Sequence, residues 1–242
     1  MPDDVAGRLA TVQREIDAAA ARARRDPATI RIVAVTKTFP AGVVTAALAA
    51  GLHDIGENYV QEAAAKRRAV PGGGRWHLIG GLQRNKVRVA LGVFDCVQTV
   101  DRVEIADALA AEAARAGRRL PVLIQANVAG ETRKRGAAPD HVAPLAEHVL
   151  GLPDLRLEGL MTIAPIADNP SDSRPFFRML HDLREGVATR LGVELPHLSM
   201  GMSDDFSIAV EEGATLLRLG RALFGGRGGV SRPGVSGGGE GS

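Results

Sequence analysis

One lysine in this chain of 242 residues stands where an amine could form a covalent bond to a ligand. It is Lys37, near the end of Ile32-Val-Ala-Val-Thr-Lys-Thr-Phe39. That run is apolar on both alternations, as in a parallel strand buried on both faces. An ammonium at the carboxyl end of such a strand is partly stripped of water. Desolvation disfavours the charged form, so a neutral, nucleophilic amine becomes accessible. Such an amine makes Schiff bases with carbonyl compounds. Taken alone, a lysine just past a strand is a solvated surface charge, so the rest of the chain has to decide.

A second set of candidates lies far downstream. Ser199-Met-Gly-Met-Ser-Asp-Asp205 and Gly220-Arg221 each leave an apolar run. Ser199 and Ser203 offer hydroxyls, and Gly220 lets a ligand approach backbone N–H groups closely. A helix after the first stretch would point its positive end at the same place. Together these suit an anion. The competing reading makes Ser203 a plain helix cap.

Elements must bring the two sets together. Val5, Leu9, Val12 and Ile16 recur at helical spacing and predict a helix over 3–24. Strand one then runs to Thr36, and Pro40 opens a helix that lasts to Gly51. Further strands are predicted over 53–56, 76–80, 94–100, 121–128, 157–163, 197–200 and 216–220. Helices are predicted over 57–69, 83–91, 103–116, 139–150, 173–191 and 204–212, with Asp101 capping the helix that begins at 103. Strands alternating with helices argue for a parallel sheet with right-handed crossovers. Eight repeats in this length favour an α/β fold closed as a (β/α)8 TIM barrel, typically about 250 residues. No GxGxxG follows the first strand, which argues against a dinucleotide fold. Residues 1–227 read as one domain including the first helix, and the Gly/Ser-rich stretch 228–242 as a disordered tail.

In such barrels the active site lies at the carboxyl ends of the strands, and phosphate is often held by the loops after strands seven and eight. Lys37 and the Ser199–Arg221 set therefore face one mouth. An amine opposite a phosphate site suits pyridoxal 5′-phosphate (PLP), whose aldehyde and phosphate lie on opposite sides of its ring.

The sequence also resembles the pyridoxal phosphate homeostasis protein family, to about Arg227. The matching stretches are Ala34-Val-Thr-Lys37-Thr, Gly56-Glu-Asn-Tyr-Val-Gln-Glu62, Trp76-His-Leu-Ile-Gly80, Leu82-Gln-Arg-Asn-Lys86, Gly159-Leu-Met161, Leu198-Ser-Met-Gly-Met-Ser-Asp-Asp205 and Arg218-Leu-Gly220 through Phe224-Gly225. The resemblance implies a fold-type III PLP barrel similar to the amino-terminal domain of alanine racemase. It implies PLP carried covalently on Lys37, with Arg218 facing the pyridine nitrogen. Ser199, Gly220 and Arg221 would contact the phosphate, the last two through backbone N–H groups, and Asn58 and Met200 would line the pocket. Gly81 and Arg221 depart from the proline and threonine common in the family. The implied role is PLP homeostasis: holding the cofactor and passing it transiently to apo PLP-dependent enzymes, without catalysis. An arginine donates to the ring nitrogen and cannot protonate it, which weakens the ring as an electron sink. Tyr59 is the sole tyrosine, and the sequence ends soon after the eighth predicted strand, so one face of a substrate is expected to go unserved. Two rivals stay open: a single-domain racemase with Lys37 as its base, and a Schiff-base aldolase without cofactor.

Composition narrows the rest. The net charge is +2 and aromatics are 3%, which leaves no nucleic-acid stripe with stacking rings. No apolar run reaches the 18 residues or so of a membrane span, so a cytoplasmic protein is expected, and a monomer is expected because no long exposed apolar stripe remains once the core is assigned. Cys96 reads as a small buried hydrophobe. His141 and His148 share a helix face but lack a ligand set, so no metal is expected. His77 and His197 read as packed, hydrogen-bonded histidines. Arg133, Lys134 and Arg135 read as a solvated basic loop.

Overall fold

The computed structural model describes residues 4–131, 135–165 and 168–225. The expected disorder of 228–242 and the side chains of Arg133 and Lys134 lie outside those residues. Helix α1 (Val5–Arg22) precedes the barrel. Asp4 caps it, its carboxylate accepting from the Gly7 N–H at 3.1 Å. Val5, Val12, Ile16, Ala19 and Ala20 form its buried face, which packs toward the end of the chain.

Eight parallel strands then close on themselves in sequence order. They are β1 (Arg31–Val35), β2 (Asp54–Glu57), β3 (Arg75–Leu78), β4 (Cys96–Val100), β5 (Leu120–Gln125), β6 (Leu155–Met161), β7 (His197–Ser199) and β8 (Leu216–Leu219). The intervening helices are α2 (Ala41–Ala49), α3 (Val60–Ala69), α4 (Val87–Leu91), α5 (Val103–Arg115), α6 (Pro139–Leu150), α7 (Arg174–Leu191) and α8 (Phe206–Glu211). β1 pairs with β8 from Arg31↔Leu216 to Ala34↔Leu219, which closes the ring.

Helices cover the outer faces of the strands, and most buried apolar side chains fill that layer. Inside the ring the apolar set is small: Val33, Cys96, Leu123, Met161 and Leu216. Gly159 is required at the β6–β7 seam. Its φ is +155°, and a Cβ there would lie 1.9 Å from the His197 carbonyl oxygen.

The expected order of elements is the observed order, with shifted ends. Strand six starts at Leu155 and stops at Met161, and strand five stops at Gln125. The helix expected from 57 starts at Val60, because Asn58 and Tyr59 stay outside it on the way from β2. The helix expected over 83–91 begins as a 3₁₀ turn, Arg84–Lys86. Asp101 does not cap α5. Arg102 holds the cap position without a side-chain bond, and Asp101 pairs with the Arg102 guanidinium. A short helix α9 (Arg221–Phe224) follows β8 and was not expected.

Candidate functional site at the carboxyl mouth

β1 ends at Val35, and the chain turns outward through Thr36, Lys37 and Thr38. This turn is fixed by buried ionic contacts. The Lys66 ammonium on α3 donates to the Thr36 carbonyl, to Glu57 Oε1 and to Glu62 Oε1, each at 2.6 Å. The Thr36 hydroxyl donates to the same Glu57 oxygen at 2.7 Å, and the Thr38 N–H donates to Glu62 at 2.5 Å. Thr38 adopts φ = +66°, a left-handed conformation that costs a non-glycine residue roughly 1–2 kcal/mol. The Glu62 bond offsets part of that cost, so both neighbours of Lys37 are pinned. Glu57 is fully buried, and burial pushes its carboxyl up, outweighing the bonds from Lys66 and Thr36.

Lys37 itself is half-buried and lines a cavity of about 240 Å³ at the carboxyl mouth. Asn58, Ser203, Arg218, Gly220 and Arg221 line the same cavity, with Phe39, Ile163 and Met202 among its apolar walls. Asn58 is seated by Gly80, where a Cβ would lie 2.3 Å from the Asn58 carbonyl oxygen. Phe39 meets Phe224 of α9 edge-on, with centroids 5.6 Å apart. This contact ties the turn after β1 to the turn after β8.

Arg218 forms part of the cavity floor and is 5% exposed. Its Nη1 donates to Ser199 Oγ at 2.8 Å and its Nη2 to the Thr162 carbonyl at 2.7 Å. Burial lowers its pKa to about 10, so the guanidinium keeps its charge at neutral pH. Ser203 accepts from the Ala222 N–H at 3.1 Å, which links the loops after β7 and β8. Among the described residues no group accepts from the N–H of Gly220 or Arg221. The Arg221 side chain pairs with Asp204 in solvent. Any anion in the cavity would therefore meet the Arg221 backbone, with the side-chain charge already engaged.

Two of the expected residues lie outside the cavity wall. Ser199 does not line the cavity: it is fully buried, and its hydroxyl is bonded to Arg218 and Gln98. Its place is beneath the guanidinium. Met200 is fully buried in the outer apolar layer, and Met202 takes the wall position instead. Residues alternate faces along an extended chain, so a side chain one or two positions away in this methionine-rich loop points elsewhere. Gly81 leaves room for Arg135, since a Cβ there would lie 2.5 Å from Arg135 Nε.

Sequence reasoning missed Lys66, Glu57 and Glu62 as supports of Lys37. The i,i+4 pair Glu62/Lys66 was the available signal. A larger cavity, about 780 Å³, opens at the opposite mouth beneath α1. Arg31, Asp54 and Arg75 line it, with no nucleophilic amine, so size alone does not mark the reactive end. His148 binds Asp107 at 2.6 Å, and no cluster of three metal-ligating residues occurs among the described residues. No helix among them is long and apolar enough to cross a membrane.

Comparison with known proteins places these residues in a family. The model for the alanine racemase N-terminal domain matches residues 8–228. A pyridoxal phosphate homeostasis protein of Pseudomonas aeruginosa is 45% identical over 225 residues, covering 92% of this chain and 96% of that protein. One from Aquifex aeolicus is 42% identical over 221 residues, covering 91% and 97%. The structure of PipY from Synechococcus elongatus with PLP bound superposes with a TM-score of 0.79 at 32% identity, covering 91% of this chain and all of that one.

Proposed function

This chain belongs to the pyridoxal phosphate homeostasis protein family, and on that premise we propose that it carries PLP covalently on Lys37 and buffers or supplies it for PLP-dependent enzymes. The observation that carries the proposal is one small cavity bounded at once by an amine, a buried guanidinium and a pair of unengaged backbone N–H groups. Ligand pockets run from roughly 300 to 1,000 Å³, so about 240 Å³ suits a ligand of one ring and its substituents. The residues fit PLP. Lys37 meets the aldehyde, Arg218 the pyridine nitrogen, and Ser203 with the backbone of Gly220 and Arg221 the phosphate. Asn58 and Met202 bound the ring, and Ser199 acts through Arg218.

When bound, PLP supplies an electrophilic aldehyde carbon, with which an amine condenses with loss of one water. The chain's own part is to present that amine in a fixed turn, to hold a positive charge where the ring nitrogen lies, and to leave the mouth open. The N–H groups at the start of α9 and the loop after β7 correspond to the phosphate site common in this barrel class. Tyr59, the sole tyrosine, is 58% exposed at the rim and is not part of the cavity wall. No second base is therefore aimed across the pocket by a tyrosine, and a carrier suits this arrangement better than a racemase does. The working form is taken to be a cytoplasmic monomer that meets apo-enzymes transiently.

The test is a visible spectrum of washed, PLP-saturated protein together with Lys37→Ala. The wild type is expected to be yellow and the variant colourless. Incubation with an apo-enzyme should restore that enzyme's activity, while amino acids in heavy water should exchange their α-hydrogen slowly. Fast exchange without cofactor transfer would contradict the carrier reading.

A further inference from the structure

A line of buried polar side chains crosses the barrel interior below Arg218. Ser199 Oγ lies 2.6 Å from Gln98 Oε1, Gln98 Nε2 lies 3.0 Å from His77 Nδ1, and His77 Nε2 lies 2.8 Å from Asp54 Oδ1. His77, Gln98 and Ser199 are fully buried, and Asp54 nearly so. The line therefore runs from the floor of the proposed PLP cavity to the cavity at the opposite mouth, which Asp54 borders. It draws one member from each of β2, β3, β4, β7 and β8.

The chemistry of the two ends leaves one arrangement of protons. A guanidinium donates and cannot accept, and a carboxylate accepts and cannot donate. Asp54 must receive a proton from His77 Nε2, so Nδ1 of the neutral ring must accept. Gln98 then turns its amide nitrogen to His77 and its oxygen to Ser199. The serine proton goes to Gln98, and its lone pairs are left for Arg218. Every group donates toward Asp54. Burial holds His77 below the ordinary histidine range despite Asp54, which keeps the ring neutral. Burial alone would raise Asp54, but the hydrogen bond from His77 and the nearby charges of Arg31 and Arg75 outweigh it and hold the carboxyl low. Protonating His77 on Nδ1 would turn Gln98 over and leave the serine proton without this acceptor.

We propose that Asp54, His77, Gln98 and Ser199 form a positioning relay that fixes the direction of the Arg218 guanidinium under the PLP ring. The relay rests on the reading that the PLP nitrogen meets Arg218. Its effect is to hold that donor still, so that the ring nitrogen receives a hydrogen bond and stays unprotonated. His77 is the decisive member because it touches neither Arg218 nor the cavity, and acts only through Gln98 and Ser199.

The test uses protein loaded with PLP labelled with ¹⁵N in the ring, comparing wild type, His77→Leu and His77→Gln. The readouts are the ring-nitrogen chemical shift, the PLP dissociation constant and the melting temperature. Leucine removes both bonds. It is expected to move the ring-nitrogen signal toward the protonated range and to weaken PLP binding about tenfold, equivalent to about 1.4 kcal/mol. Glutamine offers one donor and one acceptor and is expected to restore the wild-type shift. Should His77→Leu fail to fold, Ser199→Ala against Ser199→Thr gives the same contrast, with threonine restoring. A folded His77→Leu or Ser199→Ala protein with wild-type shift and affinity overturns the relay. A wild type that takes up no labelled PLP overturns the underlying reading instead.

Discussion

Two buried polar systems flank the proposed PLP cavity, and they are built differently. The one behind Lys37 is ionic and short-range: Thr36, Glu57, Glu62 and Lys66 come from β1, β2, α3 and the turns between them. The one beneath Arg218 is charged only at its ends, with neutral Ser199, Gln98 and His77 between. The first shapes the backbone on either side of an amine that has to react. The second holds a side chain that has to stay still. Breaking a buried ion cluster leaves an uncompensated charge, whereas breaking a neutral link leaves one unmet hydrogen bond.

That contrast sets the largest expected effect. Lys66→Ala leaves Glu57 and Glu62 without their shared cation, Glu57 being fully buried. It should cost about 3–5 kcal/mol in urea unfolding. Ser199→Ala should cost less, roughly 1–3 kcal/mol, because its partners keep other bonds such as that of Arg218 to Thr162. Equal losses in the two variants would erase the distinction between the systems.

A smaller effect concerns pH. His77 and His197 are both held below the ordinary histidine range, mainly by burial. The unfolded chain therefore takes up protons before the folded one as the pH falls below about 6.5, and stability declines from there toward the folded values. His77→Gln removes one of the two contributions. Its unfolding free energy should fall less steeply between about pH 7 and 5. A slope identical to wild type would show that His77 does not titrate in this window.

The smallest perturbation is chemical. Cys96 is fully buried inside the ring, and burial pushes its thiol up to about 12. It should resist a thiol reagent at neutral pH in the native protein and react once denatured. Rapid labelling of folded protein would place it outside the packed interior.

How legible these regions are in the sequence follows the same division. The barrel is readable because each strand is a short apolar run and each helix has its own stripe and breaks. The Lys37 turn is readable because its chemistry lies at the end of one such run. The clamp behind it was half-visible, as Glu62 and Lys66 stand four apart on a helix. The relay was not visible. Asp54, His77, Gln98 and Ser199 each look like an ordinary polar residue in a strand, and only closure of the ring aligns them. For the same reason the sequence alone points to Ser199 for the phosphate and Met200 for the pocket lining, whereas Ser203 and Met202 of that loop line the cavity wall. Their loop is identifiable from its residues, but which side chains turn inward depends on where β7 ends.

The most direct measurement is mass spectrometry of protein saturated with PLP, reduced with borohydride, washed and digested. The account predicts a single pyridoxyl adduct on Lys37, absent from Lys37→Ala. An adduct on another lysine with Lys37 unmodified, or no adduct at all, would contradict it.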